Sequence, residues 1–497
     1  MRAVSPKLMQ NIEKEFMEKH NFPSLLLMER AALAVAKHCL NHCSKGNKVA
    51  VLAGGGNNGG DAYALARLLF SHSISCDVYA LTDPKTPDAK ENRRLLESIY
   101  HPNFYDLEKF EDREYAIIVD GIFGTGFKGA VNNNLIPTFE RINQSKSYKI
   151  SIDIPSGLNG ETGYVETIAI KADETICLQI IKQGLLLSMA PEYTGKIFLE
   201  NIGIESELGI GSIIVDNEMA QNLLKPISPI AHKGKLGSVL IVAGSTNYAG
   251  AALMNCRAAI NTGVGLITLA SNEHTISLIQ QSEMLPMGRI IETEVQKNDL
   301  LSELGSYDCI SVGSGLEDND ENKAFVLNII KIAKEKDIKC VLDAQALNFI
   351  AKSNIKLNEN FLITPHPGEA ARLISCSTED VLKDYIGSCK AIYEKYGSNI
   401  ILKGARSLIY DGENFAINSS GSPVLAKGGS GDCLCGIAAA LIANNSIEQS
   451  IFTKAALACF ILGRAGEIAS KKYGEYSGNG LKAINLISAS VADELLL

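Results

Sequence analysis

The stretch Gly54-Gly55-Gly56-Asn57-Asn58-Gly59-Gly60-Asp61 decides the class of fold. It follows a short apolar run, Val49–Ala53, and precedes a helical pattern over Asp61–Phe70. A glycine-rich turn between a strand and a helix presents backbone amides to an anion, and two asparagines add donors and acceptors. The alternative is a tight turn capped by Asp61, which needs neither five glycines nor adjacent asparagines. The stretch therefore predicts an anion-binding turn in an α/β fold.

Strands and helices alternate downstream of this turn. Apolar runs at Asp77–Leu81, Ala116–Val119 and Lys149–Ile152 are separated by helical patterns, an order typical of βαβ units and a parallel sheet. Two polar loops, Asp120–Gly129 and Asp153–Gly163, begin where predicted strands end. Because the carboxyl ends of parallel strands meet at one edge of a sheet, we expect these loops to lie beside the first turn.

The candidate side chains of the N-terminal half are Asn58, Asp120, Asp153 and Ser156. Residues 124–129 also match G-x-G-x-x-G, but this signal is weak because the dinucleotide fingerprint lies in the first strand–helix turn of its unit. A carboxylate such as Asp153 can move a proton on a bound ligand. Alternatively, Asp153 caps the turn at Ser156 and Gly157, and the residue types leave both roles open.

A second α/β half begins after the proline-containing stretch 224–234, whose composition suits a linker. We therefore expect domains at 1–224 and 225–497. The loop Lys427–Asp432 (Lys-Gly-Gly-Ser-Gly-Asp) precedes an apolar helical pattern, Cys433–Ala443. Amides at such a helix start stabilise charge on a transferring phosphoryl group, and Asp432, kept ionised by the helix dipole, can accept a proton from an attacking hydroxyl.

The alternative for Asp432 is an ordinary helix N-cap. A P-loop is excluded, because G-x-x-x-x-G-K-[ST] does not occur in the sequence. Three further loops, Gly313–Leu316, Thr364–Glu369 and Lys403–Ser407, also follow predicted strands. Within them His366 lies between two prolines, and we expect it to contact a ligand; the alternative is a loop histidine satisfied by local hydrogen bonds.

Composition excludes several classes of protein. The net charge is −9 with no basic stripe, which argues against nucleic-acid binding. No apolar run approaches the roughly 20 residues that cross a bilayer, and the N-terminus lacks the apolar segment of a secretion signal. The 12 cysteines have irregular spacing, without a zinc pattern or a disulfide framework. We therefore expect mostly buried thiols and a reducing cytoplasm.

The N-terminal motifs, together with Leu27–Ala31, resemble the YjeF N-terminal domain, the NAD(P)H-hydrate epimerase family. The resemblance implies that Asn58, Asp120 and Ser156 bind K⁺ and that Asp153 contacts the hydrate as its acid/base. It also implies a hydrate-binding set made of Asn57, Asn58, Gly59, Gly60, Asp61, Gly124, Thr125, Gly126, Phe127, Lys128, Gly129 and Ala130. Ala62 replaces a glycine that is usual in the family, and we expect this change to affect packing more than chemistry.

The C-terminal motifs resemble the ribokinase-like superfamily, and within it the ADP/ATP-dependent NAD(P)H-hydrate dehydratases. The landmarks are His232–Gly234, Val341–Asn348, the His366 loop and Gly428–Asp432. The resemblance implies a catalytic Asp432 within a hydrate site that comprises Ala251, Gly315, His366 and Asp432. It implies nucleotide contacts from Lys403, Gly404, Ala405, Arg406, Ser407 and Gly431. Gln345 replaces an aspartate that is common at its position.

The two resemblances imply an α/β chain with a Rossmann-like parallel-sheet sandwich followed by a ribokinase-like α/β domain. The first domain would interconvert the R and S hydrates of NADH and NADPH. The second would dehydrate the S hydrate with ADP and release NAD(P)H, AMP and phosphate. The implied cofactors are K⁺ in the epimerase domain and Mg²⁺ with ADP in the dehydratase domain. We expect small-molecule substrates and a homo-oligomer, with no nucleic-acid or membrane partner.

Two alternatives differ in class. One is a small-molecule kinase of the hydroxymethylpyrimidine or thiazole type, fused to a nucleotide-binding module. The other is a non-catalytic binding or scaffold module, a role that some YjeF-type domains have. A degraded site would favour the scaffold, whereas all four candidate side chains of the N-terminal half are present.

Overall fold

In the computed structural model, which describes residues 1–205, 210–224 and 227–487, the chain divides between Ser212 and Ile213 into two units. Residues 213–215 belong to the C-terminal unit because their strand pairs with one near residue 416, in the register Ile213↔Ala416. This division lies 12 residues before the boundary expected at residue 224. That the epimerase domain is 1–224 and the dehydratase domain 225–497 stays a prediction.

The N-terminal unit is an alternation of strands and helices. In chain order these are β1 (Arg2–Val4), α1 (Pro6–His20), α2 (Ser24–His42), β2 (Lys48–Ala53), α3 (Asn57–Ser71), β3 (Ser75–Ala80), α4 (Pro87–Tyr100), β4 (Asn103–Asp106), β5 (Ile117–Gly121), α5 (Ile136–Gln144), β6 (Tyr148–Ile152), β7 (Glu174–Leu178), β8 (Ile181–Lys182) and β9 (Lys196–Glu200). Seven strands form a sheet in the order β4-β3-β2-β5-β6-β7-β9, and every pairing is parallel. The predicted parallel sheet is confirmed.

Helices cover both faces of this sheet. Val49 and Val51 of β2 pack with α2 and α3, whereas Ala50 and Leu52 pack with α5 on the other face. Because successive side chains of a strand point to opposite faces, a strand covered on both sides is apolar throughout. This explains why β2 was predictable, while β4 and β9, at the two edges of the sheet and partly exposed, were not.

The glycine-rich turn differs from its prediction in one respect. Helix α3 begins at Asn57 with Gly56 as its N-cap, so the predicted start at Asp61 was wrong and Asp61 is not the cap. The turn is tight because backbone atoms approach closely: a Cβ at Gly54 would lie 1.8 Å from the carbonyl oxygen of Ile122. Some of the glycines therefore serve packing, which sequence spacing cannot separate from ligand binding.

The C-terminal unit has its own sheet and helices. In chain order they are β10 (Ser212–Val215), α6 (Asn217–Leu223), β11 (Ser238–Val242), α7 (Ala249–Asn261), β12 (Leu266–Ser271), α8 (Glu273–Ser282), β13 (Met287–Ile290), α9 (Glu294–Glu303), β14 (Cys309–Val312), α10 (Asp320–Glu335), β15 (Lys339–Leu342), α11 (Gln345–Ala351), β16 (Phe361–Ile363), α12 (Pro367–Ile374), α13 (Thr378–Lys383), α14 (Tyr385–Tyr396), β17 (Asn399–Leu402), β18 (Leu408–Tyr410), β19 (Phe415–Asn418), α15 (Ser430–Ala443), α16 (Ile451–Ser477) and α17 (Gly480–Ile484). The strand order is β13-β12-β11-β14-β15-β16-β17-β18-β19-β10. Only the β17–β18 and β18–β19 pairings are antiparallel among those described.

Helix α15 lies at the centre of this unit. Every residue from Cys433 to Ala443 is buried, and the helix packs against α7, α16, β14 and β15. A helix surrounded by other elements is apolar on all sides, which explains why its sequence lacks an amphipathic period. Of the three helical patterns predicted after Gly431, α15 and α16 are confirmed. The third pattern includes the short α17, and the part of that pattern after residue 487 lies outside the described residues.

Two findings concern the whole described chain. Eleven of the cysteines are buried, Cys376 is exposed, and all 12 are free thiols, as the spacing predicted. Within the ranges given above, no helix is long and apolar enough to cross a membrane.

The glycine turn gives a test of packing. Gly54→Ala places a methyl group against the Ile122 carbonyl, whereas a Cβ at Gly56 meets no atom within 4 Å. We expect Gly54→Ala to lower the free energy of unfolding by about 1–3 kcal/mol and Gly56→Ala by less than about 1 kcal/mol, measured by urea denaturation. Equal losses in the two variants would contradict the close approach.

Two candidate active sites

Three of the predicted N-terminal residues form one hydrogen-bonded cluster. The Asp120 carboxylate is 1% exposed and accepts hydrogen bonds from the Ser156 hydroxyl at 2.5 Å and the Ser156 amide at 2.8 Å. The Asn58 side chain donates to the carbonyl of Phe123 at 3.1 Å, and Ser156 Oγ lies 3.3 Å from the same oxygen. The structure thus brings Asn58, Asp120 and Ser156 together around Phe123, as the strand order predicted.

The cluster is rich in oxygen and buried. Burial raises the pKa of Asp120, and hydrogen bonds from Ser156 and Ile122 oppose that rise. The side chains of Asp120 and Ser156 and the Phe123 carbonyl all present oxygen atoms, to which the Asn58 amide adds one more. Oxygen sets of this kind suit hard cations.

Asp153 adopts an unusual backbone conformation with φ 62°, which is costly for a residue with a Cβ. Its Oδ1 accepts hydrogen bonds from the Leu178 amide at 3.0 Å and the Lys182 ammonium at 2.5 Å. The amide of Ser156 is instead bonded to Asp120. The alternative reading of Asp153 as the cap of the Ser156 turn is therefore wrong.

Two more carboxyl groups lie near Asp153. Burial raises the pKa of Asp61 well above its ordinary value, and the charges of Asp153 and Glu13 raise it further. Burial likewise raises the pKa of Glu13, which comes from α1 and which Lys182 and Asp153 also influence. Glu13 and Lys182 were not predicted as site residues, because neither belongs to a glycine-rich loop of the sequence.

The loop at residues 124–130 packs beside Asn58 at the start of α3. The Phe127 amide bonds to the Gly124 carbonyl at 3.0 Å, and the Phe123 and Phe127 rings stack at 4.8 Å. A Cβ at Gly124 would lie 3.1 Å from Cβ of Asn58, so the loops around residues 57–61 and 124–130 are adjacent. Ala62 is buried and lies against Gly121, a packing position.

The C-terminal site is built at the start of α15. The helix begins at Ser430 and its N-cap is Gly429, whose φ of 93° requires a glycine. Asp432 is the third helical residue, so its alternative reading as the N-cap is wrong. Burial and the nearby Asp343 raise the pKa of Asp432 to about 6, although Ser314 and Lys403 oppose the rise. The prediction that the helix dipole keeps Asp432 ionised therefore holds only above about pH 6.

The buried Asp343 forms an ion pair with the partly buried Lys403, beside Asp432. Lys403 Nζ lies 2.8 Å from Asp343 Oδ1 and 3.6 Å from Glu369 Oε2. The Thr364 hydroxyl donates to Asp343 Oδ1 at 2.7 Å. Burial opposes ionisation of Asp343, but the Lys403 charge and these hydrogen bonds hold its pKa below the ordinary value. From the sequence, Asp343 was noted only as part of the landmark Val341–Asn348 and was not predicted as a site residue.

Other predicted residues lie around this pair. A Cβ at Gly431 would lie 3.3 Å from Lys403 Nζ, and one at Gly315 would lie 2.9 Å from Cβ of Ala251. His366 caps α12: its Nδ1 accepts from the Gly368 amide at 3.0 Å. The local hydrogen bonds of the alternative are thus present, while half of the His366 side chain stays exposed.

The rest of the predicted nucleotide segment, residues 404–407, joins β17 to β18. The Arg406 guanidinium donates a hydrogen bond to the Ser419 carbonyl at 2.7 Å. Burial lowers the pKa of Arg406. Gln345 accepts a hydrogen bond from Asn348 at 3.1 Å, while its own amide nitrogen has no partner among the described atoms.

Comparison with known proteins finds relatives of both units. The family described as YjeF-related protein N-terminus matches residues 24–184, and the family described as NAD(P)H-hydrate dehydratase matches residues 239–488. A bifunctional NAD(P)H-hydrate repair enzyme of Dictyoglomus turgidum is 31% identical over 98% of this chain and 97% of its own length. Enzymes of the same name from Methanothermobacter thermautotrophicus (31% identity, 94% of this chain, 90% of that one) and Escherichia coli (30%, 93% and 88%) are similar.

Solved structures share the fold of the C-terminal unit. A ribokinase-like superfamily protein from Enterococcus faecalis has a TM-score of 0.53 at 22% identity and covers 59% of this chain and 100% of its own. An ADP/ATP-dependent NAD(P)H-hydrate dehydratase from Bacillus subtilis, co-crystallised with ATP/Mg²⁺, has a TM-score of 0.50 at 21% identity, covering 57% and 100%. The predicted ribokinase-like fold is confirmed.

Proposed function

Because the chain belongs to the family of bifunctional NAD(P)H-hydrate repair enzymes, which epimerise and dehydrate these hydrates, we propose how its two sites divide the repair. The N-terminal site would interconvert the R and S hydrates of NADH and NADPH. The C-terminal site would dehydrate the S hydrate with ADP. The observation that carries this division is that each unit holds its own carboxylate with a lysine close by: Asp153 follows β6 beside Lys182, and Asp432 lies in the first turn of α15 near Lys403.

In the N-terminal site, Asp153 is proposed to remove the proton of the hydrate hydroxyl, so that the bond between the hydroxylated carbon and the ring nitrogen breaks and leaves an aldehyde. The nitrogen then re-forms the bond on the other face of the carbonyl, and the oxygen takes the proton back, which inverts that carbon. Asp153 Oδ1 is occupied by Leu178 and Lys182, which leaves Oδ2 for the ligand. The hydrate would lie between the loops 57–61 and 124–130, where amides at the start of α3 can receive its phosphates.

The cluster of Asn58, Asp120 and Ser156 is proposed as the K⁺ site. Its side-chain oxygens and the Phe123 carbonyl fit a cation that prefers oxygen ligands. Bound there, K⁺ would supply positive charge next to the hydrate loops. The residues themselves fix the loop after β5 against the start of α3.

In the C-terminal site, Asp432 is proposed to accept the proton of the hydrate hydroxyl. The hydroxyl oxygen then attacks the terminal phosphorus of ADP, and the bond to the leaving AMP breaks. Amides at the start of α15 and the Lys403 ammonium would stabilise the developing charge. Loss of phosphate from the ring carbon, with loss of a proton from the neighbouring carbon, would restore the double bond of NAD(P)H.

The nucleotide is proposed to bind at residues 403–407 and Gly431, and the hydrate at Ala251, Gly315, His366 and Asp432. No group of three or more His, Cys, Asp or Glu in the described ranges is arranged to hold a metal, so Mg²⁺ is proposed to enter on the nucleotide phosphates. A homo-oligomeric state and a cytoplasmic location stay predictions. A stable phosphorylated product, without recovery of NADH, would instead identify the small-molecule kinase.

The Asp432 proposal predicts a pH dependence. Since the carboxylate must be ionised to accept a proton and its pKa is about 6, dehydration of the S hydrate should rise as the pH increases through about 6 and then level off. Asp432→Asn should lower this rate by at least about a hundredfold, while epimer exchange, followed by chromatography, continues. Loss of both activities in a folded Asp432→Asn chain would contradict the two-site division.

The Asp153 proposal predicts selective loss of epimerisation. Asp153→Asn keeps the side-chain size but cannot act as a base near neutral pH, so exchange of R and S hydrates should fall by at least about a hundredfold. Dehydration of the S hydrate supplied alone should be unchanged, which serves as the internal control. Because the substitution leaves Lys182 buried without its anion, the rates are measured well below the melting temperature. Near-native exchange would show that another group moves the proton.

The K⁺ proposal predicts a dependence on the monovalent ion. Replacing potassium by lithium at equal ionic strength should slow epimerisation, because the smaller ion cannot span the same oxygen set. Ser156→Ala should remove most of the difference between the two salts. Equal rates of the unsubstituted protein in both salts would argue against a functional ion there.

A further inference from the structure

Lys182 is the buried charge closest to the proposed acid/base of the N-terminal unit. It is the last residue of β8, its side chain is 1% exposed, and its ammonium lies 2.5 Å from Asp153 Oδ1. The same ammonium donates to the Leu178 carbonyl at 2.8 Å. Burial alone would lower the pKa of Lys182, but the Asp153 charge offsets this and the pKa is raised. Lys182 is therefore protonated at neutral pH.

We propose that Lys182 is the positioning residue of the epimerase site, which fixes the Asp153 carboxylate in place for proton transfer. The proposal rests on the proposed role of Asp153. Lys182 acts through Asp153, since the carboxylate oxygen it binds is the one that also accepts the Leu178 amide.

The backbone at Asp153 needs such an anchor. A φ of 62° is sparsely populated for a residue with a Cβ, and it persists only where surrounding contacts determine it. Two donors, the Leu178 amide and the Lys182 ammonium, converge on one carboxylate oxygen. In the described residues no hydrogen bond reaches Oδ2, and the side chain is 14% exposed. The anchored geometry thus presents a single oxygen to the hydrate.

Acidic groups surround the ion pair of Lys182 and Asp153, so the Asp153 carboxylate needs a nearby cation. Glu13 from α1, Asp61 from α3 and Cys177 from β7 all interact with Lys182 or Asp153. Burial raises the pKa of Glu13, Asp61 and Cys177, which favours their neutral forms. Among the described residues, Lys182 is the cation that acts on all three of these groups. Without it, the Asp153 carboxylate would lie among acidic neighbours with no cation to offset them.

The test compares Lys182→Met with Lys182→Arg. The methionine removes the cation at similar length, whereas the arginine keeps it. For Lys182→Met we expect epimerisation at pH 7 to fall by at least about tenfold and the acid limb of its pH profile to move up by about one pH unit or more. Lys182→Arg should keep the native limb and recover part of the rate.

Lys149→Met is the matched control. Lys149 is also a buried lysine of the same unit, but its ammonium bonds to the carbonyls of Ser145 and Ser147, near the start of β6. Its loss should lower the melting temperature without moving the pH limb. If Lys182→Met folds poorly, the pair Lys182→Met/Asp153→Asn, which removes both charges, should recover the melting temperature.

The outcomes distinguish the role of Lys182 from the proposed proton transfer by Asp153. A Lys182→Met chain with a native rate and pH limb, while Asp153→Asn is inactive, would overturn the role of Lys182 alone. Near-native exchange in Asp153→Asn would overturn the proton-transfer proposal itself. An equal move of the pH limb in Lys149→Met and Lys182→Met would show a general effect of losing a buried charge, which also overturns the inference.

Discussion

An ion pair between a lysine and an aspartate, with one partner of the pair buried, is the interaction on which both sites depend. In the N-terminal unit it joins Lys182 to Asp153, and in the C-terminal unit it joins Lys403 to Asp343. Breaking such a pair by removing one partner typically costs about 3–5 kcal/mol, so each pair constrains the loops that carry it. The pairs differ in what they do: Lys182 holds the proposed acid/base itself, whereas Lys403 and Asp343 set the charge around Asp432.

The parallel sheets explain where the pairs lie. Asp153 follows β6, Asp343 follows β15 and Lys403 follows β17, each at the carboxyl end of a parallel strand. Strand ends of this kind place polar loops at one edge while the apolar strands stay covered. Each unit thus has a lysine–aspartate ion pair close to the carboxyl ends of its parallel strands, and different loops supply the backbone amides.

The sequence predicted the fold better than the chemistry of individual side chains. Doubly covered strands such as β2 and β14 are almost entirely apolar, with Lys48 and Ser311 as their polar residues, so their order and type could be predicted. The start of α3 at Asn57 was missed because close backbone packing at Gly54, rather than local propensity, determines it. Lys182 was missed because it lies far from Asp153 in the chain, and only the pairing of strands brings the two together.

We conclude that one chain carries two independent sites that share only a diffusible hydrate. The most direct test mixes two chains that each lack one activity, Asp153→Asn and Asp432→Asn, and supplies the R hydrate with ADP. The mixture should recover reduced-nicotinamide absorbance faster than spontaneous epimer exchange allows, while neither chain alone should do so. A mixture no faster than the Asp153→Asn chain alone, with both proteins folded, would contradict it.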